Sequence, residues 1–398
     1  MNAYVKRDLY LNRLIVRRDN GQIKAITGPR RSGKSFLLDP IYKDYLISKG
    51  VPEDNIIIIS FDIEDEDTPQ ELLDREKLKE YLYSRIASQT ENYYVFLDEI
   101  QEVDGFERIV NGLNKRQNVD VYVTGSNSKF LSSEINTIFR GRSDEVSVLP
   151  FTFREFCQDR QESVNDLWKE YYTYGGLPAL RKMPTAEQKT TYLQKLWKKT
   201  YLDDVVERHN VENREALEAI ADALCSSIGS LTNTTRITNT LGSVRKIKIT
   251  DDTVAKYIGY LEEAFLFNEA RRYNIKGNKY YENIKKYYSI DVGLRNARLN
   301  YRQLEQTHLM ENIIFNELLY RGYVVDVGVV EHRKMVDGKS EYKQYEVDFI
   351  ATDGHEKYYI QSAYEIETEE KREQELNSLK RIDDSFRKIV IVKDDIMT

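Results

Sequence analysis

The sequence predicts an α/β fold built on a doubly wound parallel sheet, on three observations. An apolar run at 22–27 leads directly into Gly28-Pro29-Arg30-Arg31-Ser32-Gly33-Lys34-Ser35, a G-x-x-x-x-G-K-S pattern set between a strand and a helix that starts at Phe36. A second apolar run, Tyr93-Tyr94-Val95-Phe96-Leu97, ends in two adjacent acids, Asp98 and Glu99. Up to about Phe156, strand-like segments at 23–27, 56–62, 93–97, 121–124 and 146–149 alternate with helix-like ones, the pattern of parallel strands joined by helical crossovers.

The first strand and its loop carry phosphate chemistry. Gly28 and Gly33 let the backbone curl so that its N–H groups point at phosphate oxygens, Lys34 reaches the β- and γ-phosphates, and the Ser35 hydroxyl ligates Mg²⁺. The loop and its flank, Gly28, Pro29, Arg30, Arg31, Ser32, Gly33, Lys34, Ser35 and Phe36, are the expected ATP-binding residues. On the next motif, Asp98 at a strand tip is placed to hold Mg²⁺ and Glu99 to polarise an attacking water. Adjacent acids at a strand end are otherwise common as solvated turn residues. Their distance downstream of the loop favours the nucleotide reading, with ATP and Mg²⁺ as cofactors.

The strand at 121–124 ends in Gly125-Ser126-Asn127-Ser128. Here Asn127 or Ser126 is a candidate for orienting the hydrolytic water, against the reading of an ordinary Gly-Ser-Asn turn. Arg140 and Arg142, in Phe139-Arg140-Gly141-Arg142, precede the last strand. Either is placed to enter a neighbouring subunit's site as an arginine finger, which predicts a homo-oligomer when active. The competing reading is a pair of solvated arginines at a helix C-terminus.

Composition sets the frame. A chain of 398 residues with 31% charged and 40% hydrophobic residues has room for two or three globular domains. It lacks the apolar stretch of a membrane span, and Met1 to Asp8 lacks the apolar core of a signal peptide. Cys157 and Cys225 are far apart, and His209, His308, His332 and His355 form no motif, so a reducing cytoplasm is expected. A formal charge of −7 argues against coating nucleic acid by bulk electrostatics and leaves room for a local basic patch.

After the sheet, 165–208 reads helical with a break at Tyr174-Gly175-Gly176-Leu177-Pro178. Helices at 216–228, 234–241 and 254–263, then a strand at 264–273, suggest a winged helix. Arg236, Arg245, Lys246, Lys248, Arg271, Arg272, Lys276 and Lys279 gather nearby and read either as a phosphate-contacting patch for DNA or as ordinary surface cations on a packing or oligomerisation module; the third helix carries Asp252, Glu262 and Glu263 beside Lys256. Further on, an amphipathic helix at 310–319 precedes strands at 323–329, 345–350 and 358–361. A restriction-type nuclease core uses an acid on a helix, an Asp on one strand and Glu/Gln-x-Lys on the next to hold a metal. Glu311, Asp348 and Gln361 fill the first three roles. Ala363 stands at the lysine position, which predicts a degenerate, non-cutting site unless Lys343 or Lys357 substitutes.

The phosphate loop, Leu97-Asp98-Glu99, Thr124-Gly125-Ser126, Arg140-Gly141-Arg142 with Leu149-Pro150-Phe151-Thr152-Phe153-Arg154-Glu155-Phe156, Gly175-Gly176-Leu177-Pro178, Glu311-Asn312 and Glu346-Val347-Asp348-Phe349 occur in a characteristic order. In that order the chain resembles archaeal and bacterial ATPases with an N-terminal AAA+ module, a winged helix and a C-terminal nuclease-like domain. The resemblance implies an AAA+ P-loop core at 1–156, a helical extension at 157–211, a winged helix at 212–280 and a restriction-nuclease-like domain at 281–398. Two function classes follow. One is an ATP-driven switch or motor acting on DNA; the other is a regulatory ATPase whose C-terminal domains bind a protein partner. A third, an ATP-regulated nuclease, would need a substitute cation such as Lys343 or Lys357 near Asp348.

Overall fold

Strands β1 (Ile23–Thr27), β2 (Ile56–Ser60), β3 (Tyr93–Asp98), β4 (Val119–Thr124) and β5 (Ser143–Ser147) form one all-parallel sheet in the order β2-β3-β4-β1-β5. The structure, a computed structural model, describes residues 4–62, 70–125, 139, 141–336, 339–366 and 368–393. The acidic run beginning at Asp62 mostly lies outside them, as do Ser126, Asn127 and Arg140. The described chain divides into two compact units, Met1–Arg160 with Leu177–Ala179 and Gln161–Gly176 with Leu180–Thr398.

In the first unit every residue of β1, β3 and β4 is buried, as expected for strands covered by helices on both faces. On one face Ile23, Ala25, Val95, Leu97, Val121 and Val123 pack with Leu78, Leu82, Ile109 and Leu113 from the helices Arg75–Arg85 and Phe106–Leu113. Lys24 breaks the apolar run of β1 and is fully buried. Its ammonium contacts the Asp120 carboxylate, which also accepts from the Tyr122 hydroxyl at 2.7 Å and the Asp19 N–H at 3.0 Å. This set of partners offsets the desolvation of a buried ion pair.

The helix expected from Phe36 begins two residues earlier, at Lys34. It is interrupted at Asp39 (φ −131°, ψ 112°), because the ring of Pro40 excludes the preceding residue from helical geometry. It resumes at Lys43–Ser48.

The second unit opens with the helix Val164–Tyr174, which ends at Gly175 (φ +80°). Two glycines here are required by close approach. A Cβ on Gly175 would fall 2.1 Å from Asp291 Oδ1, and one on Gly293 would fall 1.8 Å from the Tyr174 carbonyl oxygen. Asp291 caps the helix Val292–Arg298 through the Leu294 N–H (3.0 Å) and accepts from the Gly176 N–H at 2.8 Å. Burial pushes its carboxyl up to about 6. Asn296 donates to the carbonyls of Tyr172 (2.8 Å) and Thr173 (3.0 Å), closing the same junction.

Helices Arg214–Ser226, Thr234–Thr240 and Asp251–Glu263 follow, capped by Asn213, Asn233 and Thr250. They lead into β6 (Phe267–Asn274) and the longer β7 (Lys279–Ser289), paired antiparallel. The boundary expected at 280 thus falls inside a hairpin. With β8 (Val324–Val336), β9 (Lys339–Asp353), β10 (Glu356–Ala363) and β11 (Arg387–Val392) they form a second sheet, ordered β11-β10-β9-β8-β6-β7.

The helix Gln306–Arg321 covers one face of this sheet through Met310, Ile314, Phe315 and Leu318. Leu379 of the helix Glu369–Lys380 packs with Val330, Val347, Ile350 and Tyr359. Between β8 and β9 the pairing steps from Asp326↔Ile350 to Gly328↔Val347, so Val327 opposes both Asp348 and Phe349. That β-bulge re-aims the Asp348 side chain, as bulges do beside polar sites. Among the described residues no helix is long and apolar enough to cross a membrane.

Candidate functional site

At the carboxyl end of β1 the chain turns through Gly28 (φ +132°), Arg31 (φ +63°) and Gly33 (φ +92°). Gly28 has no alternative, since a Cβ there would lie 2.2 Å from the Val148 carbonyl oxygen. Lys34 is buried, and its ammonium donates to the carbonyls of Gly28 and Pro29 at 3.1 Å each. Burial lowers its pKa, opposed by the nearby carboxylates of Glu99 and Asp98. Inside the same loop the Ser32 hydroxyl is fully buried with no hydrogen-bond partner. A left-handed backbone, an ammonium turned onto its own loop and an orphaned hydroxyl fit a cradle for an anionic phosphate group.

The two acids stand beside this loop. Asp98 is buried and accepts from the Thr124 hydroxyl at 2.5 Å. Burial raises its pKa, while hydrogen bonds from Thr124 and Ser35 hold it down. Asp98 and Ser35 are therefore in contact, and both carry oxygens suited to a hard divalent cation such as Mg²⁺. Glu99 adopts a left-handed conformation (φ +52°) that swings its carboxylate toward the loop, 3.9 Å from the Lys34 ammonium. Its backbone N–H donates to the Thr124 hydroxyl at 2.9 Å, and Gln101 donates to its carboxylate at 2.5 Å.

Thr124 at the tip of β4 therefore touches both acids. The sequence places its water-orienting candidates two and three residues later, at Ser126 and Asn127, which lie outside the described residues. The signal that would have found Thr124 is register: β4 separates β1 from β3, so its last residue stands between the loop and the acids.

Arg7 is a second residue that sequence reading missed. It is buried, donates to the Ser32 carbonyl at 2.9 Å and the Leu149 carbonyl at 2.7 Å, and pairs with Glu155 at 3.2 Å. Glu155 in turn closes a capping box with Thr152. One guanidinium thus ties the floor of the phosphate loop to the Leu149-Pro150-Phe151-Thr152-Phe153-Arg154-Glu155 segment.

Phe36 is exposed and meets Tyr4 edge-on at 5.8 Å. Arg142 is exposed at the opposite end of the sheet, where its carbonyl accepts from Ile23 N–H at 2.8 Å. It cannot reach the phosphate loop of its own chain.

In the second unit Glu311 and Asp348 face the same interior, and Gln361 does not. Gln361 instead bonds with Glu375 (3.3 Å) and Ser378 (3.4 Å) of the helix Glu369–Lys380, and it is the Ser362 N–H that donates to Asp348 at 2.8 Å. The alternation of side chains along a strand turns Gln361 away from Ser362. The suggested substitute cations are also elsewhere. Lys343 lies over the Tyr345 ring and Lys357 over the Phe386 ring. The ammonium beside the acids belongs to Lys286 of β7, which is buried, 2.9 Å from Glu311 and 2.8 Å from Glu346.

Comparison with known proteins agrees with this architecture. A model of the AAA domain matches residues 20–157, and a model of a domain of unknown function matches residues 165–305. An uncharacterized protein of Haemophilus influenzae is 35% identical over 98% of this chain and 93% of its own length. One from Methanocaldococcus jannaschii is 30% identical over 88% of this chain and 77% of its own. Among solved structures, a Walker-type ATPase of Pyrococcus abyssi superposes with a TM-score of 0.52 at 16% identity, covering 74% of this chain and 96% of that one. Sequence relationship and sheet architecture together place the chain in a family of archaeal and bacterial AAA+ ATPases whose AAA domain is followed by a domain of unknown function.

Proposed function

We propose that the chain hydrolyses ATP with Mg²⁺ and uses the cycle as a conformational switch. The observation that carries this reading is the single cluster of Lys34, Ser35, Asp98, Glu99 and Thr124 around a phosphate-shaped loop. Lys34 exchanges its two loop carbonyls for β- and γ-phosphate oxygens. Ser35 and Asp98 hold the magnesium, which when bound neutralises developing phosphate charge. Glu99 orients the attacking water, with Gln101 and Thr124 fixing its direction. Arg142, on the far end of the sheet from its own loop, acts on the site of a neighbouring copy.

Glu99→Gln is expected to retain ATP binding and to lower turnover about 10²- to 10⁴-fold, the usual contribution of a positioned general base. Arg142→Ala is expected to lose on the order of 10³-fold. Mixing it with a binding-dead Lys34→Ala chain should restore part of the activity. Unchanged turnover in Glu99→Gln removes the first assignment. A monomer with concentration-independent turnover removes the second.

For its target we read DNA, contacted through a winged helix formed by the three helices Arg214–Ser226, Thr234–Thr240 and Asp251–Glu263 with the β6–β7 hairpin. Lys246, Lys248, Lys276 and Lys279 are exposed there. A restriction-nuclease-like module follows and does not cut. The protein-partner reading is favoured by a different observation. Arg245 is spent on Asp222 (2.7 Å), Arg271 pairs with Asp326 (3.8 Å), and Arg272 is buried.

Duplex binding measured against salt separates the two. Four phosphate contacts predict a log–log slope of about −4. No binding at low salt leaves the protein-partner reading.

A further inference from the structure

The acid cluster of the second unit has more partners than a degenerate site needs. Lys286 bridges Glu311 and Glu346, and the Tyr288 hydroxyl donates to the same Glu311 oxygen at 2.6 Å. Burial alone would pull the Lys286 ammonium down, but the Glu311, Glu346 and Asp348 carboxylates together raise it, so it stays charged. The Asp348 pKa is raised as well, which for a carboxyl favours the neutral form. Burial, then the charge of Glu311, pushes its carboxyl well above the usual range.

Gly229 closes the cluster from another side, since a Cβ there would lie 3.1 Å from both carboxylate oxygens of Glu311. Beside Asp348, the Ser362 hydroxyl is more than nine-tenths buried with no hydrogen-bond partner. It stands on the strand residue whose own N–H holds Asp348.

Two carboxylates on one ammonium, with the Tyr288 hydroxyl on Glu311, the Asp348 carboxyl within reach of its charge and an orphaned serine hydroxyl on the residue that holds Asp348, gather hard oxygens of the kind that take Mg²⁺ or Mn²⁺. The oxygens are drawn to ammonium distances of 2.8 and 2.9 Å instead of the roughly 2.1 Å of a magnesium ion. We propose that Glu311, Glu346 and Asp348 form a divalent-cation pocket that the chain has closed with its own ammonium, Lys286 standing where the ion would stand. On this reading the wild-type domain binds no metal there, and removing one positive charge opens the site.

The test is Mn²⁺ binding to the full chain without nucleotide, followed by electron paramagnetic resonance, in an Asp98→Asn background that silences the other oxygen pair. Lys286→Ala is expected to gain one Mn²⁺ per chain, at least tenfold tighter than any binding by the parent. Lys286→Ala/Asp348→Asn is expected to lose it again. Either variant leaves the buried Glu311 and the half-buried Glu346 uncompensated, so lower melting temperatures are expected in both. Added Mn²⁺ should raise the Tm of Lys286→Ala and of Lys286→Met, but not that of the parent.

Two results overturn the proposal. One is a parent site for Mn²⁺ that Asp348→Asn abolishes. The other is a pair of Lys286 variants that neither bind Mn²⁺ nor regain Tm in its presence.

Discussion

Lys34→Ala is expected to abolish measurable ATP binding. The ammonium is held by two carbonyls of its own loop at 3.1 Å and sits 3.9 Å from Glu99. The same reach puts it against two phosphate oxygens. Charge-assisted hydrogen bonds of that kind contribute about 1.5–3 kcal/mol each, so losing two weakens binding roughly 10²- to 10⁴-fold. The substitution also leaves the Glu99 carboxylate without the Lys34 ammonium, so its charge opposes the incoming phosphates and adds to the loss. Calorimetric titration of ATP·Mg²⁺ into wild type and variant checks this. An affinity within fivefold of wild type would show that the loop does not grip phosphate through Lys34.

Gly293→Ala is expected to be the most damaging single methyl in the second unit. The added carbon would lie 1.8 Å from the Tyr174 carbonyl oxygen and 2.7 Å from the Gly175 nitrogen. Both obstacles are backbone, so no side chain can rotate out of the way. The helices Val164–Tyr174 and Val292–Arg298 must separate, which breaks the Asp291 and Asn296 hydrogen bonds between them.

A loss of about 4 kcal/mol or more, or failure to fold, follows from overpacking combined with lost buried hydrogen bonds. Gly259→Ala is the control. It lies in the helix Asp251–Glu263 with nothing within 4 Å of its Cβ, and it should gain about 0.5–1 kcal/mol. Urea midpoints report both, and a Gly293→Ala midpoint equal to that of wild type would refute the close-approach argument.

The parts of the fold that were legible in the sequence are those where one physical rule decides. Strands β1, β3 and β4 read as mainly apolar because helices cover both faces, with the buried Lys24 and Asp120 as mutually paired exceptions. The turn at Gly175-Gly176 shows because glycine followed by proline cannot continue a helix. β7 was illegible because Lys279, Glu282, Lys285 and Lys286 make it read as a polar loop. Lys286 is polar and buried only because Glu311 and Glu346 arrive from elements far away in sequence, which no local pattern reveals.

The expectation of Gln361 beside Asp348 failed on the two-residue period of a strand, and the bulge at Asp348 had no sequence signal. Within the nucleotide site the loop and both acids were legible as motifs. Thr124 and Arg7 were not, since their importance lies in which strand and which carbonyl they meet.

The strand order of the first sheet has a consequence for biosynthesis. β1 carries the phosphate loop yet pairs only with β4 and β5, while β2 pairs with β3 and β3 with β4. During translation β1 therefore leaves the ribosome without a partner. It waits while roughly 90 further residues are added, on the order of 5–20 s at common elongation rates. Over that interval its ends are a pair of unpaired strand edges that a nascent-chain chaperone can hold. The nucleotide cradle is thus among the last parts of its sheet to close, though it follows the first strand of that sheet to be synthesised.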